Sequence, residues 1–171
     1  MKQPDDVDSD ARGKESCDTV SRVFKKRPWV IEIRETVQNG DEDEDGYDMF
    51  VQVNPSFLKA IKMNGHRKEL PVQIKSSRRR IKSFIRKYAK QLRFFNVSRR
   101  SHLFVLCGTY AEELILADIV GQLVVHASGF GMSEKEVLNC LNSFGDKAAV
   151  EAYKQKKSLL SDLWYGEKLP T

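Results

Sequence analysis

Apolar and polar residues alternate in two nearby stretches of the chain, residues 29–37 and residues 47–53. A period of two is typical of a strand with one buried face, so the two stretches predict a β-hairpin. The acidic segment 39–46 would form its loop. The side-chain positions predicted to point inward are Trp29, Ile31, Ile33 and Val37 in the first strand and Tyr47, Met49, Val51 and Val53 in the second.

Three shorter patterns follow the hairpin. Residues 56–63 favour a short helix, and Leu70, Val72 and Ile74 predict a third strand. The uninterrupted apolar run Leu103–Cys107 is typical of a buried, central strand.

The C-terminal part of the chain predicts three helices. Thr109 and Glu112 have capping-box spacing and would open a helix to about Ala127, which is apolar around most of its circumference. Ser133 and Glu136 would cap a second helix, and Asp146 a third that runs towards Trp164. Together the patterns predict an α+β fold in which a small mixed sheet, the hairpin plus two short strands, packs with an amphipathic basic helix and a helical C-terminal region.

The domain organisation follows from where these patterns begin and end. Residues 1–24 lack hydrophobic periodicity and predict a disordered acidic and polar tail. Residues 25–165 predict a single compact α+β domain, which is an ordinary size for one core. Residues 166–171 predict a short C-terminal tail.

The most informative element is a predicted amphipathic helix from Arg78 to about Phe95, with Ser76 and Ser77 as candidate N-cap residues. At 100° per residue its apolar side chains cluster on one face, which is expected to pack inward. Those side chains are Ile81, Phe84, Ile85, Tyr88, Leu92 and Phe95.

The opposite face of this helix is predicted to be a continuous positive stripe. Between Leu70 and Ala111 the chain has eleven lysines and arginines and no carboxylate, whereas an ordinary solvated face would mix the two signs. Such a stripe indicates phosphate-backbone contacts. The predicted nucleic-acid-binding residues are Arg78, Arg79, Arg80, Lys82, Arg86, Lys87, Lys90, Arg93, Arg99 and Arg100, with His102 as a further candidate next to them.

The function predicted from this stripe is non-enzymatic nucleic-acid binding, with RNA favoured over DNA, and Phe94 could stack on a base. In the alternative, the protein is an interaction or assembly subunit whose stripe and apolar C-terminal helices dock a protein partner or a second copy. Residues 1–46 have thirteen acidic against eight basic side chains, so acidic segments of the chain could also cover the stripe.

Targeting and membrane signals point to an intracellular protein. The polar, acidic N-terminus lacks the pattern of a secretory signal peptide, and no apolar run is long enough to cross a bilayer. Three scattered cysteines fit a reducing compartment. Lys25–Pro28 resembles a short nuclear-import signal, so nucleus and cytoplasm are both expected locations.

The sequence contains few candidates for catalytic or metal-binding residues. Cys107 lies between a predicted strand and a helix start, but it is better explained as a buried structural cysteine. His66 and His126 have no partner at metal-site spacing, and Glu112 and Glu113 suit the start of a helix. The sequence therefore predicts no catalytic residue, no metal and no cofactor.

Overall fold

A computed structural model describes residues 4–36, 47–63, 68–94 and 100–160 of the protein. These residues form six helices and four strands. In chain order they are α1 (Pro4–Lys25), β1 (Val30–Glu35), β2 (Met49–Val53), α2 (Pro55–Ala60), β3 (Glu69–Lys75), α3 (Arg78–Arg93), β4 (Phe104–Cys107), α4 (Glu112–Ser128), α5 (Glu134–Ser143) and α6 (Lys147–Leu160).

The four strands form one mixed sheet in the order β1-β2-β3-β4. β1 pairs with β2 and β2 with β3 antiparallel, whereas β3 and β4 are parallel and are joined through α3. The predicted α+β class is confirmed, with the hairpin and two further short strands in one sheet. The predicted acidic loop of the hairpin lies outside the described residues.

A β-bulge changes the side-chain alternation expected for β1. The register shifts between Val30 and Glu32, so that Val30 and Ile33 lie opposite Val53 and Val51. Ile31, which was predicted to point inward, is 59% exposed. The extra residue of a bulge moves the side chains before it to the other face, and periodicity alone does not reveal this.

β4 is buried along its whole length, as its apolar run predicts, yet it is an edge strand rather than a central one. Its burial comes from packed helices, because α4 lies against it. An apolar run indicates that a strand is covered on both faces, but it does not indicate how many strands flank it.

The N-terminal segment differs most from the sequence-based prediction. In place of a disordered tail over residues 1–24, the structure has α1, whose last turns bury Val20, Val23 and Phe24 in the core. Small Ser16 and Ser21 on the same face are buried too. The domain therefore begins further towards the N-terminus than residue 25, because a few apolar residues at helical spacing suffice when a complementary surface receives them.

Aromatic rings connect the elements of the core. Phe24 at the end of α1 contacts both Trp29 and Phe104, with ring centroids 6.5 and 5.5 Å apart. Trp29 stacks on Phe57 of α2 at 4.5 Å, and Phe57 meets Phe144, which follows α5, edge to face at 5.2 Å. The core thus joins α1, α2, β4 and the α5–α6 turn.

A buried ion pair fixes the start of α6 to the end of α1. Arg27 donates to Asp146 at 2.7 Å, and Trp29 Nε1 donates to the second oxygen of the same carboxylate at 2.8 Å. Both charged side chains are almost fully buried, at 6% and 2% exposed. Of the tetrapeptide that resembles an import signal, Arg27 is therefore engaged inside the folded protein, while Lys25, Lys26 and Pro28 are exposed.

Local capping was predicted correctly for two of the three C-terminal helices. Ser133 and Glu136 form both bonds of a capping box at α5, and Asp146 accepts from Ala149 N at the start of α6. At α4 the N-cap is Ala111, without a side-chain cap. Thr109 instead donates to the backbone oxygen of Ser76, 3.0 Å away, so its hydroxyl ties the start of α3 to that of α4.

α3 and α1 cover opposite faces of the sheet. Phe104 contacts Phe24 of α1, whereas Lys75 contacts Phe84 of α3. Phe104 pairs with Val72, and Lys75 lies three residues further along β3, so the two side chains point to opposite faces. Among the described helices, none has both the length and the apolar character needed to cross a membrane.

Candidate nucleic-acid interface

Two buried residues anchor α3, one near each end. Ser77 caps the helix by accepting from Arg80 N at 3.3 Å, as predicted, and Ile81 and Leu92 are almost fully buried. Between these anchors the predicted inward face is less buried than its pattern suggests. Phe84, Ile85 and Tyr88 are each partly exposed, and Phe95 lies outside the described residues.

The cationic side chains of α3 reach solvent. Six of them are exposed, and Arg78 and Lys82 are half-buried. Apart from Arg78, none of these side chains forms an ion pair with any residue that the structure describes. The exposed six are Arg79, Arg80, Arg86, Lys87, Lys90 and Arg93.

The first two turns of α3 carry a concave surface as well as positive charge. Arg78, Arg79, Lys82, Ser83 and Arg86 line an open hollow of about 520 Å³. Four cations and one hydroxyl can donate hydrogen bonds there, and arginine presents a planar fork that suits phosphate oxygens. The arrangement can hold anionic groups such as phosphates.

The N-terminus of α3 adds to this positive potential. Its first turn contains no acidic side chain, and the positive end of the helix dipole lies at the same place as the hollow. Lys75, three residues before α3, has a lowered pKa whose main cause is burial. Arg80 and Lys87 lower this pKa further, and Asp48 opposes the shift.

The three residues beyond α3 that were predicted to extend the positive stripe do not form a continuous surface with it in the described structure. Arg99 lies outside the described residues. Arg100 is exposed, with a positive φ of 44°, and its guanidinium lies 5.5 Å from the ring centroid of Phe130 beyond α4. His102, predicted as a possible surface residue, is buried and bonded to Gln122, because β4 carries it into the core.

Two residues beside the stripe were missed by sequence reasoning. Tyr88 was assigned to the buried face, yet its ring is partly exposed and lies 4.7 Å from that of Phe84. Lys75 at the end of β3 places its ammonium 4.8 Å from the Phe84 centroid. One signal was available, because a tyrosine on an apolar face brings a hydroxyl that needs water or a partner.

Nucleophilic and metal chemistry finds little support among the described residues. Cys107 is buried, with its sulfur 3.2 Å from the Thr109 hydroxyl oxygen. His102 and His126 are buried with ring centroids 5.9 Å apart. Within the described part of the chain, no group of three or more His, Cys, Asp or Glu side chains is placed to hold a metal ion.

Fold and site together describe an α+β protein that presents a cationic helix on one face of a small mixed sheet. Comparisons with protein-family models, with curated proteins and with solved structures found no match to the chain. Its function therefore has to be inferred from the geometry of the described residues.

Proposed function

We propose that this protein binds nucleic acid without catalysing a reaction on it, and that the outer face of α3 makes the phosphate contacts. The observation that carries the proposal is that seven cations on one anchored helix form no ion pair with any residue that the structure describes. Like charges at i,i+3 and i,i+4 destabilise a helix, so an uncompensated row favours an external anion as the missing partner.

The spacing of these cations supports a polymeric ligand. Side chains three and four residues apart on a helix lie about 5–6 Å from each other, and the stripe continues from Arg79 to Arg93. At a rise of 1.5 Å per residue a straight helix would separate those two residues by about 21 Å, and the irregular backbone at Tyr88 bends the row between them. A phosphate backbone offers charges over the whole of that length, whereas a small anion would occupy only the hollow.

Fluorescence anisotropy with labelled oligonucleotides tests the proposal. Wild-type protein is titrated into single- and double-stranded RNA and DNA of equal length at several KCl concentrations. Binding that depends on phosphate contacts weakens linearly on a log-log scale, with a slope of about 0.7 per contact for single strands and about 0.9 for duplex DNA.

Two quadruple variants with the same change of net charge sharpen the test. The first replaces Arg79, Lys82, Arg86 and Lys90 by Glu, and binding is expected to disappear. The matched control replaces four exposed lysines away from α3 by Glu and should keep most of the wild-type affinity; these are Lys59, Lys135, Lys147 and Lys154. Equal loss in both variants, or none in the first, contradicts the proposal.

The same titrations test the preference for RNA over DNA, which stays a prediction. They also separate the alternative of an assembly subunit from nucleic-acid binding. The alternative would be supported if the protein binds none of the four oligonucleotides but forms a stoichiometric, nuclease-resistant complex with a protein partner or with itself.

A further inference from the structure

Tyr88 lies at an irregular point of α3. Its backbone, with φ −112° and ψ 21°, leaves helical geometry inside the helix. Phe84 and Ile85 on the same face pack against the hydrophobic core, whereas Tyr88 contacts the Phe84 ring at a tilt of 42°. The Tyr88 ring thus contacts another aromatic ring and remains partly exposed.

Cations surround this aromatic pair. The exposed Lys87 has its ammonium 5.2 Å from the Tyr88 centroid, and Lys75 has its own 4.8 Å from the Phe84 centroid. A base that moved onto the Tyr88 ring would displace the Lys87 ammonium to the adjacent phosphate. The site can therefore offer a flat apolar surface and a positive charge to the same nucleotide.

This combination discriminates between single and double strands. In a duplex each base face is covered by its neighbours, so an aromatic side chain gains a stacking contact only where bases are unstacked. Cationic side chains alone would bind the phosphates of single and double strands alike. An accessible aromatic ring on the cationic helix favours the single strand.

We propose that the ligand of α3 is a single-stranded nucleic acid, and that Tyr88, supported by Phe84, is the platform on which one of its bases stacks. The proposal rests on the nucleic-acid binding proposed above and deepens it. Phosphates would follow the row from Arg79 to Lys90, and the base would turn inward beside Lys87.

Three substitutions of one residue test the platform. Tyr88→Phe keeps the ring, Tyr88→Leu keeps an apolar side chain without a flat face, and Tyr88→Ala removes both. Stacking contributes about 1–3 kcal/mol per base, which corresponds to a loss of about 5- to 150-fold. We expect that loss for the Leu and Ala variants, near wild-type binding for the Phe variant, and an unchanged salt slope for all three.

Controls make each outcome decisive. Leu159→Ala removes an exposed apolar side chain of α6 and should leave binding unchanged. Thermal unfolding of every variant shows whether it is folded, and the Leu variant serves if the Ala variant is not. Wild-type protein should bind a single strand more tightly than a duplex of equal length.

The two proposals fail in different ways. If the Leu variant binds as tightly as the Phe variant, or if duplex is preferred, the stacking platform is overturned while the charge-reversal result still supports nucleic-acid binding. If charge reversal on α3 leaves binding intact, nucleic-acid binding through the stripe is itself overturned.

Discussion

The carboxamide of Gln122 exchanges two hydrogen bonds with the backbone of Val105. Val105 N donates to Oε1 at 3.2 Å, and Nε2 donates to the Val105 carbonyl oxygen at 3.0 Å. Since β4 is the last strand of the sheet as described, these two backbone groups have no strand among the described residues to pair with. A side chain of α4 takes the place of a fifth strand and satisfies the buried edge.

Val105 also determines the state of a histidine. The Val105 N–H needs an acceptor, so the carboxamide atom of Gln122 that faces it is the oxygen. The same oxygen lies 2.9 Å from His102 Nε2 and accepts a second hydrogen bond from it. Nε2 therefore carries the proton, and His102 Nδ1 is an unprotonated nitrogen without a hydrogen-bond donor among the described residues. Gln122 Nε2 completes the network by donating to Asp118 at 2.9 Å.

Gln122→Leu should destabilise the protein by about 3 kcal/mol or more. The substitution replaces the carboxamide by an apolar group of similar size and leaves several buried polar groups unpaired, at about 1–3 kcal/mol each. Urea unfolding followed by circular dichroism measures the change. Gln155→Leu on the exposed side of α6 is the control and should shift stability by less than about 0.5 kcal/mol. Equal stability of the two variants would show that the Val105 bonds contribute nothing.

Acid should destabilise the fold through its buried histidines. Burial lowers the pKa of His102 to about 4, although its bond to Gln122 opposes the shift. Burial, with the adjacent His102 as the next cause, lowers that of His126 to about 3. In the unfolded chain both would titrate near 6.5, so below that pH the unfolded state binds more protons and stability falls. At pH 7.5 and above both histidines are almost entirely neutral in both states and contribute almost no slope.

The expected size of this effect is about 2 kcal/mol for His102 alone between pH 6.5 and pH 5.0, from about 1.4 kcal/mol per pH unit. Urea midpoints at pH 7.5, 6.5, 5.5 and 5.0 measure it above the range in which carboxylates titrate. His126→Phe should reduce the slope, because it removes a buried ring that takes up a proton only in the unfolded chain. The substitution itself should cost little, since neither His126 ring nitrogen has a well-formed hydrogen bond to a described residue, apart from a contact with the Lys62 backbone. A pH-independent midpoint over this range would exclude the histidines as the cause.

Each partner of the Arg27–Asp146 pair should be costly to remove while the other stays charged and buried. Asp146→Ala leaves a buried guanidinium without a counter-ion and should cost about 3–5 kcal/mol. In the double variant Asp146→Ala with Arg27→Met, no buried charge remains, so the total loss should be less than the sum of the two single losses. Additive losses in this double-mutant cycle would contradict a direct coupling.

An exposed ion pair provides the comparison for that cycle. Lys157 donates to Glu134 at 2.8 Å, but both side chains are largely solvated. Lys157→Ala should cost less than about 1 kcal/mol, since water replaces most of the interaction. A cost as large as that of Asp146→Ala would mean that burial does not decide the strength of these pairs.

Gly108→Ala should destabilise the contact between α1 and the turn after β4. A Cβ at Gly108 would lie 2.4 Å from the Cβ of Ser16 and 2.8 Å from its Cα, so the helix would have to move. We expect a loss of about 1–3 kcal/mol in thermal unfolding. Gly13→Ala, on α1 itself, meets no atom within 4 Å and should stabilise by about 0.5–1 kcal/mol through helix propensity. A melting temperature unchanged by Gly108→Ala would show that α1 is not packed this closely.

Much of the fold and of the candidate site was determined by signals within a few residues of each other. The Ser77 cap, the Ser133 and Glu136 capping box and the buried Met49, Val51 and Val53 of β2 each follow from neighbours in sequence. The cationic face of α3 was predictable for the same reason, because a period of 3.6 residues sorts charges from apolar side chains locally. These interactions depend on spacing along one helix or strand, which the sequence contains.

Tertiary structure decided the rest, because the decisive partners are far apart along the chain. Arg27 meets Asp146 across 119 residues, and Gln122 reaches Val105 from the next element, so neither pairing has a local pattern. α1 became part of the core because a surface elsewhere in the chain received Val20, Val23 and Phe24. Tyr88 likewise shares the apolar period of Ile81 and Leu92, and only the way α3 lies on the sheet left its ring partly exposed. Periodicity tells which side chains can be buried, whereas the shape of the opposing surface determines which of them are.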